Sequence, residues 1–145
     1  MGIETVLHAS SNRTTTGSAG GGVPVDMVSA DKSGEKLHNV VTFELDVTVA
    51  ADDVDDTLNV FIQTKIGNKL VDIVHFTEVL GNGGAKTYIA KVVGGVSETM
   101  FENGAALAES AVRNLIGRAF LVRWVIVDPL GADAAFTFKV TAKGG

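Results

Sequence analysis

Residues 119–142 read AFLVRWVIVDPLGADAAFTFKVTA, and this stretch decides the fold class. Alternate residues are large and apolar from 120 to 126 and again from 136 to 140. Between the two runs stands Asp-Pro-Leu-Gly at 128–131, and proline and glycine favour turns. This alternation of β-branched and aromatic residues around a turn predicts a β-hairpin. We expect its apolar face, with Trp124, to form the centre of the core.

The same alternation predicts most of the remaining chain as strands separated by polar or glycine-rich turns. These strands are Ile3–His8, Val23–Met27 as a short edge strand, Val40–Val49, Thr57–Ile66, Leu70–Leu80 and Lys86–Val93. Leu70–Leu80 is apolar on both faces, which favours a central place in its sheet. Ser97–Asn114 is open between a short helix and an irregular loop with a short strand. With most strands joined by hairpins, the sequence predicts one all-β domain over 1–145, an antiparallel β-sandwich of jelly-roll type with its core at about 40–142.

The segment from about 10 to 22 is small, polar and rich in glycine. It has too little apolar area to offset the entropy of ordering it. A flexible N-terminal arm and a long surface loop are equally good interpretations. As an arm, it would offer Asn12, Arg13, Thr14 and Thr15 to a partner.

Composition excludes several classes of function. The formal net charge of the chain is -5, with no basic run, which argues against nucleic acid or an anionic membrane as a partner. No apolar stretch approaches the roughly 20 residues of a membrane span, and no secretory signal is expected at the N-terminus. The chain has no cysteine, so disulfides and thiolate chemistry are absent.

No residue pattern indicates catalysis or a cofactor. The three histidines, His8, His38 and His75, lie on separate segments without metal-ligand spacing. The aspartates of 52–56 allow a calcium site, but they lack the glycine and closing glutamate of an EF-hand loop, and an acidic turn is the favoured interpretation. We therefore expect a protein that is not an enzyme and that has no catalytic, cofactor or metal residues.

Two groups of side chains are candidates for binding. Trp124 and Tyr88 are the aromatic residues that could serve as a sugar platform, but the apolar strand of Trp124 favours a place in the core. Arg113, Arg118 and Arg123 crowd one region, where they fit either an acidic partner surface or a solvated strand edge. The predicted partner-binding residues are Asn12, Arg13, Thr14, Thr15, Arg113 and Arg118.

Three stretches together resemble small structural proteins encoded by tailed bacteriophages. They are VTFELDVTVAADDVDDTLNVFIQTKIG at 41–67, LVDIVHFTEVLGNGGAKTYIAKV at 70–92 and VRNLIGRAFLVRWVIVDPLGADAAFTFKVTA at 112–142. The chain is most similar there to the β-sandwich decoration, or cement, proteins that stud phage capsids. The similarity lies in strand order and turn placement and includes no catalytic signature.

The resemblance implies a virion structural protein without enzymatic activity, made in the host cytoplasm and located on the capsid exterior. It implies the major capsid protein as partner and self-association as a dimer or trimer. The segment of residues 10–22 would reach across the lattice. The alternatives are a carbohydrate- or receptor-binding module on a phage tail or fibre, or a neck or tail structural protein.

Overall fold

The computed structural model describes residues 4–18, 25–26, 40–117, 119–129 and 134–144. All regular structure in this part of the chain is β-strand, so it contains no helix able to cross a membrane. The strands are β1 (Glu4–Arg13), β2 (Gly17–Ser18), β3 (Val25–Asp26), β4 (Val40–Val49), β5 (Thr57–Ile66), β6 (Lys69–His75), β7 (Val79–Leu80), β8 (Lys86–Val93), β9 (Ala111–Val112), β10 (Ala119–Val127) and β11 (Phe136–Gly144).

The strands form two antiparallel sheets. One has the order β1-β11-β4-β8, and the other has the order β2-β10-β5-β6-β9, with β3 paired to β10 and β7 to β5. The chain crosses from one sheet to the other between most successive long strands. Taking β1, β2, β4, β5, β6, β8, β10 and β11 as eight strands in sequence, their order in the two sheets is that of a jelly roll. The all-β sandwich of jelly-roll type is therefore confirmed.

The inward side chains of both sheets build one core. The predicted bounds of β4, β5 and β8 are confirmed. The apolar residues that alternate along β4 and β5 are buried, except for the last residue of each strand, Val49 and Ile66, which are exposed. Four phenylalanines are fully buried, and the rings of Phe43 and Phe120 meet edge to face across the sheets at 5.2 Å. Each such side chain stabilises the fold by about 1.5–3 kcal/mol through burial. Trp124 is also buried, as expected.

The predicted hairpin at 119–142 is wrong in its pairing. Strand β10 pairs with β5, whereas β11 pairs with β1 and β4 in the opposite sheet. Similarly, β8 does not return along the strand before it but pairs with β4. Alternation shows which face of a strand is buried, but it does not select the neighbouring strand. Two apolar faces are buried equally well when the strands face each other across the sandwich.

The predicted strand Leu70–Leu80 is divided into β6 and β7. A bulge in the pairing of β5 with β6 falls where Ile62 faces Val74 and Gln63 faces Asp72. Ile73 is the extra residue, and both it and Val74 are buried. Because the bulge turns two successive residues into the core, the buried positions shift by one along the sequence. This shift explains why the stretch looks apolar on both faces. Strand β6 lies between β5 and the two-residue β9, close to the sheet edge.

The segment 10–22, predicted as either a flexible arm or a long surface loop, is neither at residues 10–13 and 17–18. Residues 10–13 belong to β1 and pair with β11, and residues 17–18 form β2. Residues 19–22 lie outside the described part of the chain. Of the short edge strand predicted at 23–27, the structure describes residues 25–26, which form β3 and pair with β10. The interpretation of 97–114 as an irregular loop with a short strand is confirmed, since β9 is its only regular element.

Candidate functional site

The chain turns a corner between β1 and β2, passing from one sheet to the other. The indole Nε1 of Trp124 donates a hydrogen bond to the carbonyl of Thr15 (2.9 Å). The N–H of Ile126 donates to the hydroxyl of Thr16 (3.0 Å). A Cβ at Gly17 would lie 2.9 Å from the Trp124 ring, so only glycine allows this close approach. The corner is therefore held by specific contacts on β10.

A buried histidine lies beneath this corner. The His8 ring stacks on Phe138 with centroids 4.4 Å apart and meets Trp124 edge to face at 4.8 Å. The Nε of Arg13 donates to its Nε2 (3.2 Å), so that nitrogen accepts and carries no proton. Burial, followed by the nearby charge of Arg13, lowers the pKa of His8 from 6.5 to about 4, against an opposing backbone interaction with Phe138. His8 is consequently neutral at pH 7.

The corner brings together four of the predicted partner-binding residues. Asn12, Thr14 and Thr15 are exposed there. Arg13 is half-buried, since its guanidinium lies 5.0 Å above the ring of Trp124 while it bonds to His8. The three exposed side chains thus form a polar surface, and Arg13 supports it from below. Their role in binding stays a prediction.

The same end of the sandwich exposes aliphatic side chains. Strand β5 begins at Thr57, which faces Leu80 on one side and Val127 on the other. Val54 belongs to the turn just before it, and Val49 ends β4. All four aliphatic side chains are exposed. We name this surface the corner end, defined as residues 12, 14, 15, 49, 54, 80 and 127.

The acidic turn 52–56 carries Val54 of the corner end and is organised by its own backbone. The carboxylate of Asp53 accepts a hydrogen bond from the N–H of Asp55 (3.0 Å), and its carbonyl accepts one from Asp56 (3.1 Å). The Gly81 N–H donates to the carbonyl of Asp56 (2.8 Å), which ties the turn to the loop between β7 and β8. No three His, Asp or Glu side chains converge as a metal site would need within the described residues.

Arg113 lies away from the corner and serves the interior. It is 9% exposed and donates to the carbonyls of Asp72 (3.0 Å), Ala105 (3.1 Å) and Ala106 (3.4 Å). Its guanidinium also lies 3.9 Å from the ring centre of Phe101. The side chain therefore fastens the long loop after β8 to strand β6. With its donors already engaged, Arg113 is a poor candidate for a partner contact.

The expected crowding of arginines is seen for two of the three. Arg123 forms an ion pair with the carboxylate of Asp72 (3.0 Å), and its guanidinium lies 3.9 Å from the ring centre of Phe61. The backbone carbonyl of the same Asp72 accepts the hydrogen bond from Arg113. Arg118 lies outside the described residues. The ring of His75 stacks on Phe61 at 4.0 Å. This cluster explains why the exposed face of β5 carries an aromatic residue, a contact that sequence spacing alone does not reveal.

Comparisons with known proteins identify similarity at the level of structure. No protein-family model matches the chain, and no curated protein is significantly similar to it. A chain in the cryo-EM atomic structure of Broad Bean Stain Virus superposes with a TM-score of 0.45 and 11% sequence identity. The match covers 99% of this chain and 86% of that chain. At this distance the comparison adds nothing to what the strand order already defines, a jelly roll, the architecture of viral capsid, lectin and cupin domains.

Proposed function

We propose that the protein is a non-enzymatic virion structural protein that decorates the capsid of a tailed phage and stabilises the lattice of its major capsid protein. The observation that carries the proposal is the jelly-roll order of the eight main strands, an architecture common among capsid domains. The sequence resemblance to phage decoration proteins agrees with it. A decoration protein acts by mass action, because it binds the assembled lattice and not its separate subunits.

The corner end is the surface we assign to the capsid. Singly exposed aliphatic side chains are normal on any protein. Here four of them share one end of the sandwich with the exposed Asn12, Thr14 and Thr15. Apolar contacts with a polar rim are the usual anatomy of a protein interface. Here the rim also includes the exposed Asp52 and Asp55 of the acidic turn. The loops at this end are held by Trp124 and Gly81, so little ordering entropy is lost on binding.

The main rival is a glycan- or receptor-binding module, since lectins share the jelly roll. Such sites commonly present an aromatic ring to the sugar. Here Trp124 is buried, and Phe61 is enclosed between Arg123 and His75. Tyr88 is half-buried on an edge strand. These positions favour the capsid role.

The test is rebinding to mature capsids from which the protein has been stripped, measured by co-sedimentation. We expect saturable binding at a copy number that fits the icosahedral lattice. Val127→Lys, at the corner end, should weaken it, whereas Ile66→Lys, at the other end of the sandwich, should not. The two side chains are matched in exposure, at 46% and 45%. Loss with Ile66→Lys alone would place the contact at the opposite end, and no rebinding by the folded wild type would refute the capsid role.

A further inference from the structure

Strand β8 is an edge of the four-stranded sheet, and no described residue forms a strand beyond it. The backbone N–H of Val93 donates to the side-chain oxygen of Asn114 (3.1 Å), so this N–H points away from β4. In an antiparallel ladder, alternate residues direct both N–H and C=O to the same side. The backbone N–H and C=O groups of Thr87, Ile89 and Lys91 must therefore also point away from β4. No hydrogen bond reaches these outward groups from the residues that the structure describes.

The side chains along this edge are uncharged at its centre. Ile89 is 68% exposed, although its strand neighbours Tyr88 and Ala90 are half-buried. Lysines stand only near the two ends of the strand, at 86 and 91. Edge lysines normally discourage pairing between sheets. On β8 they leave a central Tyr-Ile-Ala segment free to pair.

A groove runs beside the open edge. It has a volume of about 260 Å³ and lies between β8 and the β6–β9 side of the other sheet, where Val74, Phe76 and Val112 line it. An added strand would continue the plane of the four-stranded sheet. Its inward side chains would then cover this apolar groove. The open edge and the groove together fit strand addition.

We propose that the occupant is β8 of a second copy of this chain, paired antiparallel about a two-fold axis at Ile89. In this register Ile89 faces its own copy, Tyr88 faces Ala90, and Thr87 faces Lys91. Each residue whose backbone N–H and C=O point outward lies opposite another such residue. The two copies can therefore exchange hydrogen bonds along the whole paired segment. No lysine faces a lysine, whereas a register centred on Lys91 would place two opposite each other, which is unfavourable. The two four-stranded sheets become one continuous sheet, and the interface is isologous.

The assay is the molar mass of the full chain, measured by sedimentation equilibrium and light scattering over a range of concentrations. The wild type is expected to be a dimer. Ile89→Lys and Ile89→Glu should each weaken dimerisation by at least about tenfold, because like charges then face each other at the axis. Mixing the two variants should restore a heterodimer, which a folding defect would not allow.

Val6→Lys is the matched control. Val6 lies in the same row across the sheet as Ile89, but on β1 at the opposite edge, and it is also exposed. It should leave the dimer unchanged. A monomeric wild type, a dimeric Ile89→Lys variant, or dissociation by Val6→Lys would each overturn the proposal. The capsid role is tested separately. A monomer that binds capsids would refute only the strand pairing, and a dimer that fails to bind capsids would refute only the capsid role.

Discussion

Replacing His8 with phenylalanine should remove the contribution of His8 to the pH dependence of folding stability below pH 7. His8 is 3% exposed and stacks between aromatic neighbours, so its charged form is disfavoured in the folded state. The guanidinium of Arg13, which donates to the ring, adds to the effect. A phenylalanine keeps the stacking and cannot be protonated. It also loses the hydrogen bond from Arg13, which lowers stability by a similar amount at every pH.

The magnitude follows from the difference in pKa between the folded and unfolded states. The pKa of His8 is about 4 in the folded protein and 6.5 when the ring is free. Between these values the unfolded chain binds more protons, so stability rises with pH. The contribution is fully present above pH 6.5, decreases as the pH falls towards 4, and does not decrease further below that. At about 1.4 kcal/mol per pKa unit, this amounts to about 3 kcal/mol.

The assay is urea unfolding at several values between pH 4 and pH 7, with the free energy of unfolding plotted against pH. The wild type should lose about 3 kcal/mol more than the His8→Phe variant across this range. Ser11→Ala is the control, because it removes a neighbouring hydroxyl and keeps the histidine. Equal slopes for wild type and His8→Phe would show that His8 is protonated in the folded state without cost, which refutes the reasoning.

Three further substitutions test the packing, each by chemical denaturation. Trp124→Ala should destabilise the fold by about 3–5 kcal/mol as a buried aromatic, whereas Val127→Ala on the same strand, being exposed, should cost under about 0.5 kcal/mol; similar values would place Trp124 at the surface. Arg113→Met should cost about 2–3 kcal/mol and speed proteolysis of the loop after β8, and an unchanged cleavage rate would deny that Arg113 fastens it. Gly81→Ala should cost at least about 1 kcal/mol, because the new Cβ would overlap the carbonyl of Asp53, and full wild-type stability would contradict that geometry.

Much of the local structure could be predicted from the sequence because period-two patterns report burial directly. The bounds of β4 and β5 follow from the inward valines, leucines and phenylalanines, and the place of Trp124 in the core follows from its apolar strand. The jelly-roll architecture was predicted as well. These features depend on which face of a strand is apolar. Because side chains alternate between the two faces, the identity of every second residue indicates that face directly.

The errors concern interactions between distant segments. The hairpin predicted at 119–142 and the arm or long loop predicted at 10–22 were both inferred from local sequence. In the structure β11 pairs with β1, and the corner is held by Trp124. A polar, glycine-rich composition indicated disorder, but Gly17 is required for contact with that ring. The role of Arg113 depends on carbonyls of a loop whose position no spacing rule predicts. Partner strands and buried hydrogen bonds are set by tertiary packing.

The measurement that tests the central claim most directly is quantitative rebinding of the purified protein to mature capsids of the tailed phage that the proposal assigns it to, after the protein has been stripped from them. The account predicts saturable binding at a stoichiometry set by the icosahedral lattice, together with a more heat-resistant shell once the sites are filled. Folded protein that fails to bind, and leaves the melting temperature of the shell unchanged, would contradict the account and redirect attention to tail or glycan-binding roles.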